Sequence, residues 1–442
     1  MKLTIDNIGK IKHADIELNG ITVIAGNNNT GKSTIGKILY CIFNSCYKIE
    51  KYIESQKYNR IRNEIERIIR SHVSVDINNE DDFSIDFLLS NLYIHPNKIK
   101  KMMNVLSDQD SKIEIIKQFL AENIEYEIIN MLDSIENVCE ELNAKIDSLL
   151  NLPTKSYRIS RVNNFFNAIF DEQIVNIFSE RGEIVAKIKE NIFIAKFEKE
   201  KCTDLDLDFI FNNSALLIDT PDVFKNLPAD KRIKFNTINP IGNLLSKIYQ
   251  ENESDSIDID HTLAADKLSK VTSILNQAVC GKFQRTGYRE SESYLFDGMD
   301  KPIKTNNLST GVKSFLILKK LCENSVLIEK DVLILDEPEI HLHPEWQLLY
   351  AEAIVLLQEA FDLTVLITSH SPTFVRAIEC YCDIHDRMEN LDVYKTEPAD
   401  GFNYTLRNIS YSEYGISELY NFRCVGTLVS NTYDADTYRH YK

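Results

Sequence analysis

Short apolar runs bounded by turn residues alternate along this chain with long amphipathic stretches, and the order of the two patterns predicts a mixed α/β architecture. Residues 2–18 alternate at both ends and turn at Asn7 to Gly9, which predicts a β-hairpin. The apolar strand Ile21-Thr22-Val23-Ile24-Ala25 follows, and behind it Ile35, Ile38, Leu39 and Ile42 recur at helical spacing. Helical spacing then dominates residues 51–180. Within them Ile128, Met131, Ile135, Val138, Leu142, Ile146 and Leu149 predict one helix of about five to six turns, ended by Pro153. Strand patterns return at 183–188 and 191–197, expected as an antiparallel hairpin that rejoins the opening strands, and at 215–219, where Thr220-Pro221 breaks the run. A second helical section is expected over 239–281, interrupted by the acidic stretch 251–260. Residues 282–303 predict another hairpin, turning near Gly298.

The first chemistry appears at Gly26-Asn27-Asn28-Asn29-Thr30-Gly31-Lys32-Ser33-Thr34, between that apolar strand and that helix. The context turns a string of the form G-x-x-x-x-G-K-[ST] into a phosphate site, because the loop aims backbone N–H groups and a helix N-terminus at an anion. Gly26 and Gly31 allow close approach, and Asn27, Asn28 and Asn29 tolerate left-handed backbone. Lys32 is expected to neutralise the β/γ-phosphates and Ser33 to hold Mg²⁺.

Three downstream segments complete the pattern. Val332-Leu333-Ile334-Leu335-Asp336-Glu337-Pro338 is a continuous apolar run ending in two carboxylates, which suits a parallel strand buried on both faces. Asp336 is placed to coordinate Mg²⁺ and Glu337 to take a proton from an attacking water. Leu363-Thr364-Val365-Leu366-Ile367-Thr368 is a second buried strand. It delivers His370 to the same sheet edge, with Ser371 and Pro372 as the cap and first residue of the next helix. Leu308-Ser309-Thr310-Gly311 opens a further helix, with Ser309 as its N-cap and Gly311 permitting close backbone approach.

Length and composition narrow the class. At 442 residues the chain predicts about two or three domains or lobes. An apolar content of 43% supports a buried core, and the net charge of −17 argues against a general nucleic-acid-binding surface while leaving room for a local basic groove. Nine scattered cysteines do not make a disulfide framework and fit reduced thiols. The opening residues read as a strand rather than a signal sequence, and no apolar run reaches bilayer-spanning length. The expectation is a cytoplasmic chain without a membrane partner.

Together and in this order the motifs resemble the ABC-type ATPase superfamily. Gly26 to Ser33 matches Walker A, Leu308 to Gly311 the signature, Val332 to Glu337 Walker B, and His370 the switch histidine. About 275 residues separate Walker A from the signature, more than a compact transporter domain allows. Glu339-Ile340-His341-Leu342-His343-Pro344 is similar to the E-x-H-L-H-P segment of RecF/SMC-like and OLD-family ATPases and of AAA-15/AAA-21 proteins. The resemblance implies a P-loop NTPase of ABC/SMC-head type with a mixed central sheet, an N-terminal antiparallel β-subdomain and a large helical insertion. On this basis the ATPase head spans 1–50 with 183–238, the insertion 51–182, a helical subdomain 239–305, and the rest of the head with a tail 306–442. ATP and Mg²⁺ are the implied cofactors. The implied assembly is a head-to-tail homodimer in which Lys32, Ser33 and Thr34 of one copy and Ser309 and Gly311 of the other enclose ATP.

Two features depart from the resemblance. Thr310 stands where many members have Gly, and no glutamine is placed as a Q-loop. About seventy residues follow His370, and Asp434 and Asp436 lack flanking strands, so no nuclease domain is expected. The spacings of Cys380, Cys382 and His385, and of His341 and His343, do not match common zinc sites. Three functions stay open. One is an ATPase subunit, similar to the Septu or PARIS ATPases, that controls a separate nuclease or toxin effector in anti-phage defence. Another is a RecF-like DNA-clamp ATPase using a basic cluster such as Lys98, Lys100 and Lys101. The last is a scaffold that binds nucleotide without turnover.

Overall fold

The computed structural model describes residues 1–73, 92–106, 112–207, 209–226, 235–249, 259–284, 292–324 and 326–410. Cys424, Asp434 and Asp436 lie outside the described residues. The chain divides into two compact units, one of Met1–Tyr47 with Ile159–Lys442 and one of Lys48–Arg158. The helical unit is therefore shorter than the 51–182 expected, with residues 159–182 belonging to the larger unit.

The larger unit is built on an eleven-stranded mixed sheet. Its strands are β1 (Lys2–Ile8), β2 (Ile11–Glu17), β3 (Ile21–Ala25), β4 (Arg181–Ile188), β5 (Asn191–Glu198), β6 (Lys201–Leu207) and β7 (Ala215–Ile218). Later in the chain come β8 (Gly281–Gln284), β9 (Ser293–Phe296), β10 (Ile303–Lys304), β11 (Val332–Asp336), β12 (Thr364–Ser369), β13 (Leu391–Pro398) and β14 (Tyr404–Asn408). The order across the large sheet is β6-β5-β4-β1-β2-β14-β13-β3-β12-β11-β7. β1 and β2 form the expected hairpin, with Leu3 opposite Ile16 and Ile5 opposite Ala14. β4 and β5 pair antiparallel and β4 rejoins β1, as the alternation predicts. β6 adds a third strand there that the apolar pattern does not signal, because Thr203, Asp204 and Asp206 interrupt it.

Strands β3, β12, β11 and β7 run parallel. They are buried on both faces, and the period of two sorts their side chains into separate layers. Leu333, Leu335, Val365 and Ile367 enter one core with helices Thr310–Glu323, Pro344–Phe361 and Pro372–Ile384. Val332, Ile334 and Leu366 enter the other, against Ile35, Ile38, Leu39 and Ile42 of helix Lys32–Cys46. The junction between antiparallel and parallel halves is made by β13 and β14. β13 lies parallel to β3, and β14 runs parallel to β2. Both halves are thus one continuous sheet.

The expected hairpin turning near Gly298 is present as β9 and β10, and β8 adds a third strand, giving a separate sheet in the order β10-β9-β8. Gly298, with φ 82°, sits in the turn between β9 and β10, and β8 pairs with the other side of β9. Helices Pro240–Tyr249 and Ile259–Ala278 account for the second helical section; the intervening residues 250–258 lie outside the described residues.

In the Lys48–Arg158 unit, Ile61, Ile65, Ile68 and Ile69 of helix Ile49–His72 share a core with Val138, Cys139, Leu142 and Ile146. The single helix expected over 128–149 is two helices, Tyr126–Asn130 and Ile135–Leu150. Ser134 breaks the run. Its side chain accepts the Asn137 N–H at 3.3 Å and starts the second helix, so a local cap overrides a continuous apolar spacing.

Candidate nucleotide-binding site

The loop after β3 is shaped by backbone conformations that need glycine. Gly26 has φ 156°, and a Cβ there would lie 1.9 Å from the Thr396 hydroxyl. Gly31, at φ 88°, caps helix Lys32–Cys46 with no side-chain hydrogen bond, leaving the helix N-terminus open to an anion. Of the three asparagines only Asn29 is left-handed, at φ 66°. Asn27, Asn28 and Asn29 are exposed, whereas Thr30 is buried. The Thr30 hydroxyl donates to the Asn27 carbonyl at 2.9 Å and accepts from Thr396 at 3.0 Å. Lys10, in the β1–β2 turn, donates to the Asn29 side-chain oxygen at 2.7 Å. The loop is therefore braced by the β1–β2 turn and by β13, a strand distant in sequence.

Lys32 is buried, with 3% of its side chain exposed. Its ammonium donates to the Asn27 carbonyl at 2.7 Å and lies 3.4 Å from Glu337 Oε1. Ser33 and Thr34 are half-buried in the first turn of the helix. These residues and Glu337 line one cavity of about 550 Å³.

The parallel register explains why Glu337 and His370 meet. Asp336 is level with Thr368, and Ser369 with Ala25, so three strands end on one edge. The Thr368 hydroxyl donates to Asp336 and fixes its carboxylate. The Glu337 N–H donates to the Thr368 carbonyl at 3.0 Å and holds Glu337 at φ 48°, a conformation that is uncommon away from glycine and concentrated at functional sites. His370 Nδ1 lies 3.5 Å from Glu337 Oε2 and 3.8 Å from Glu339 Oε1. Lys32, Asp336, Glu337 and His370 thus converge at the carboxyl edge of the sheet.

Sequence reasoning assigned no role to Glu339. It is 2% exposed, and burial pushes its carboxyl above the ordinary range, opposed by bonds to Ser369 and His370. Oε1 accepts the Ser369 hydroxyl at 2.5 Å and the His370 N–H at 3.3 Å, while Oε2 has no hydrogen-bond partner among the described residues. Asp219 is the other omission. Ile218 is level with Leu335, so the next residue on each strand brings Asp219 beside Asp336. Desolvation at the sheet edge and the Asp336 charge raise its carboxyl pKa. The strand-end reasoning applied to Asp336 would have found it.

Ser309 and Gly311 are not brought to this cavity within one subunit. Ser309 is exposed and caps helix Thr310–Glu323, accepting the Val312 N–H at 3.4 Å. Gly311 is buried, and a Cβ on it would lie 2.9 Å from the His341 carbonyl oxygen. Its small size therefore serves packing against the segment that follows β11.

Residues 1–375 match the family model AAA_15, described as an AAA ATPase domain. The chain is also similar to solved structures. The SMC head domain from Thermotoga maritima is 11% identical, with 92% of this chain and 98% of that chain covered and a TM-score of 0.37. An SmcHead bound to the C-winged helix domain of ScpA is 10% identical, with 93% and 98% covered and a TM-score of 0.45. Stu0660 of Streptococcus thermophilus is 11% identical, with 96% and 81% covered and a TM-score of 0.34.

Proposed function

The chain belongs to the AAA ATPase domain family, and on that footing we propose that it binds ATP with Mg²⁺ and hydrolyses it between two head-to-tail copies. The observation that carries this reading is the convergence of Lys32, Glu337 and His370, with Lys32 3.4 Å and His370 3.5 Å from opposite oxygens of one carboxylate. A phosphate placed over the loop would take over the Lys32 ammonium. Glu337 would then be released to accept a proton from water, with His370 beside it to sense the γ-phosphate. Catalysis of this kind consists of positioning and charge stabilisation.

The Ser33 hydroxyl and the Asp336 carboxylate fit a divalent ion, since both are hard oxygen donors and Thr368 already fixes the carboxylate. Magnesium held there would neutralise triphosphate charge. Ser309, exposed at the start of its helix, would close the site of a second copy.

The downstream role is the control of a separate nuclease or toxin effector in anti-phage defence, in the cytoplasm. Its support is the resemblance carried by Glu339-Ile340-His341-Leu342-His343-Pro344. The DNA-clamp alternative would draw on the predicted basic cluster, of which Lys100 pairs with Glu54 at 3.1 Å. The test is phosphate release from Mg·ATP by the purified chain and by Lys32→Ala. Absence of nucleotide binding in the unmodified chain rejects the reading; binding without release leaves the scaffold.

A further inference from the structure

His370 Nδ1 is buried and has no hydrogen-bond partner among the described residues, although two carboxylates flank it. Glu337 Oε2 stands 3.5 Å away and Glu339 Oε1 3.8 Å. Both lie beyond the usual N–H···O range of about 2.7–3.2 Å. The imidazole nitrogen is thus poised between two acceptors and bonded to neither.

The two carboxylates differ in how firmly they are held. Glu337 is 21% exposed, and its other oxygen faces Lys32 at 3.4 Å. A phosphate that takes the Lys32 ammonium leaves Glu337 able to turn toward water and away from the imidazole. Glu339 cannot follow. It is 2% exposed, and its Oε1 is tied to the Ser369 hydroxyl at 2.5 Å and the His370 N–H at 3.3 Å. Two backbone turns fix its place in the chain. The Ile340 N–H donates to the Glu337 carbonyl at 3.3 Å, and the Leu342 N–H to the Glu339 carbonyl at 3.0 Å. Its Oε2 is buried without a partner among the described residues, so one acceptor stands ready where buried acceptors are seldom left unpaired.

We propose that Glu339 is a positioning residue for His370, taking over its Nδ1 as Glu337 leaves and holding the ring beside the γ-phosphate while water attacks. This assignment rests on the reading of Lys32, Glu337 and His370 as a hydrolytic site, and adds the residue that orients the sensor. An Nδ1–H bonded to a fixed carboxylate leaves Nε2 as the nitrogen available to phosphate. Glu339 itself touches neither the water nor the phosphate, and no proton is transferred to it. It acts through His370 alone.

The experiment is a double-variant cycle on Mg·ATP hydrolysis by the full chain, with Glu339→Gln, His370→Ala and the two combined, reading kcat and KM separately. In Glu339→Gln the amide oxygen still accepts the Ser369 and His370 backbone donors, which occupy both of its lone pairs. The NH₂ group that replaces the other oxygen cannot accept from Nδ1. Glu339→Gln should lower kcat about tenfold with KM unchanged, and the combined variant should be no slower than His370→Ala. ATP binding measured by calorimetry reports that each variant is folded. Losses that multiply in the combined variant would mean that Glu339 acts independently of His370 and overturn the proposal, as would an unchanged kcat in Glu339→Gln. A raised KM or lost ATP binding in Glu339→Gln would assign the residue to the nucleotide pocket itself and overturn it too. If the unmodified chain binds ATP without releasing phosphate, or if His370→Ala turns over normally, the hydrolytic reading of the site fails and the positioning role falls with it.

Discussion

Ser369 donates its hydroxyl to the buried carboxylate of Glu339 at 2.5 Å, joining the end of β12 to the turn that follows β11. The same oxygen receives the His370 N–H, so Glu339 fixes the backbone from which the imidazole projects. Glu339→Ala should leave both donors unpaired and destabilise the chain by about 1–3 kcal/mol. Glu339→Gln keeps the volume and removes the charge. Since burial raises the Glu339 pKa in the folded state, folding favours the protonated form. That stabilisation is complete below the ordinary value of 4.5 and is lost as pH rises through the higher folded value. Denaturant midpoints measured across this range should therefore show the unmodified chain losing stability relative to Glu339→Gln as pH rises. A constant difference would remove the burial argument.

Lys32 and Glu337 form the ion pair at the centre of the candidate site. If Glu337 is the base, Glu337→Gln should bind ATP and release phosphate at least about 10²-fold more slowly. ATP should then hold two copies together long enough to be detected by light scattering. Hydrolysis at the normal rate would assign the base to another residue, with Asp219, level with Asp336 on the neighbouring strand, the first to replace.

Much of this was legible in the sequence because local chemistry and strand pattern agreed. The phosphate loop, the two buried strands ending at Asp336 and Ser369, and the capping roles of Ser309 and Ser371 each follow from residues adjacent in the chain. What failed to show depends on contacts between distant segments. β13 carries Asp392, Lys395 and Glu397, which disguise a strand with its first four residues buried. Without it the partner of Gly26, Thr396, has no place in the site. Glu339 reads as part of a motif, and only the fold shows that it is buried beneath His370. The split of residues 128–149 shows the converse, with an apolar spacing that continues across a cap.

Gly26 and Thr396 give a prediction that separates shape from charge. Gly26→Ala would drive a methyl group into the Thr396 hydroxyl at 1.9 Å in a left-handed conformation. Loss of nucleotide binding is expected, with the chain still folded by circular dichroism. Adding Thr396→Ala removes the nearest atom and should recover part of the affinity, because the remaining strain is of order 1–2 kcal/mol. No recovery would mean that Thr396 supports the loop through its bond to Thr30 more than it limits the space.

Ser309 tests the assembly. It is exposed in its own subunit, so a large side chain there meets no neighbour in the isolated chain. Among the described residues its side chain caps Val312, a bond worth about 1 kcal/mol. Ser309→Arg should therefore lower stability by no more than that amount and leave ATP affinity of the single copy intact. If the residue faces the ATP of a second copy, the same variant should abolish ATP-dependent dimerisation and phosphate release together. The decisive measurement is a mixture of Ser309→Arg with Lys32→Ala. In a head-to-tail pair, one of the two sites of a mixed dimer joins an intact phosphate loop to an intact Ser309, whereas the other combines both defects. Mixing two inactive chains should thus restore up to half of the turnover per dimer. A mixture that stays inactive while each chain remains folded would place hydrolysis within a single copy and remove the shared site.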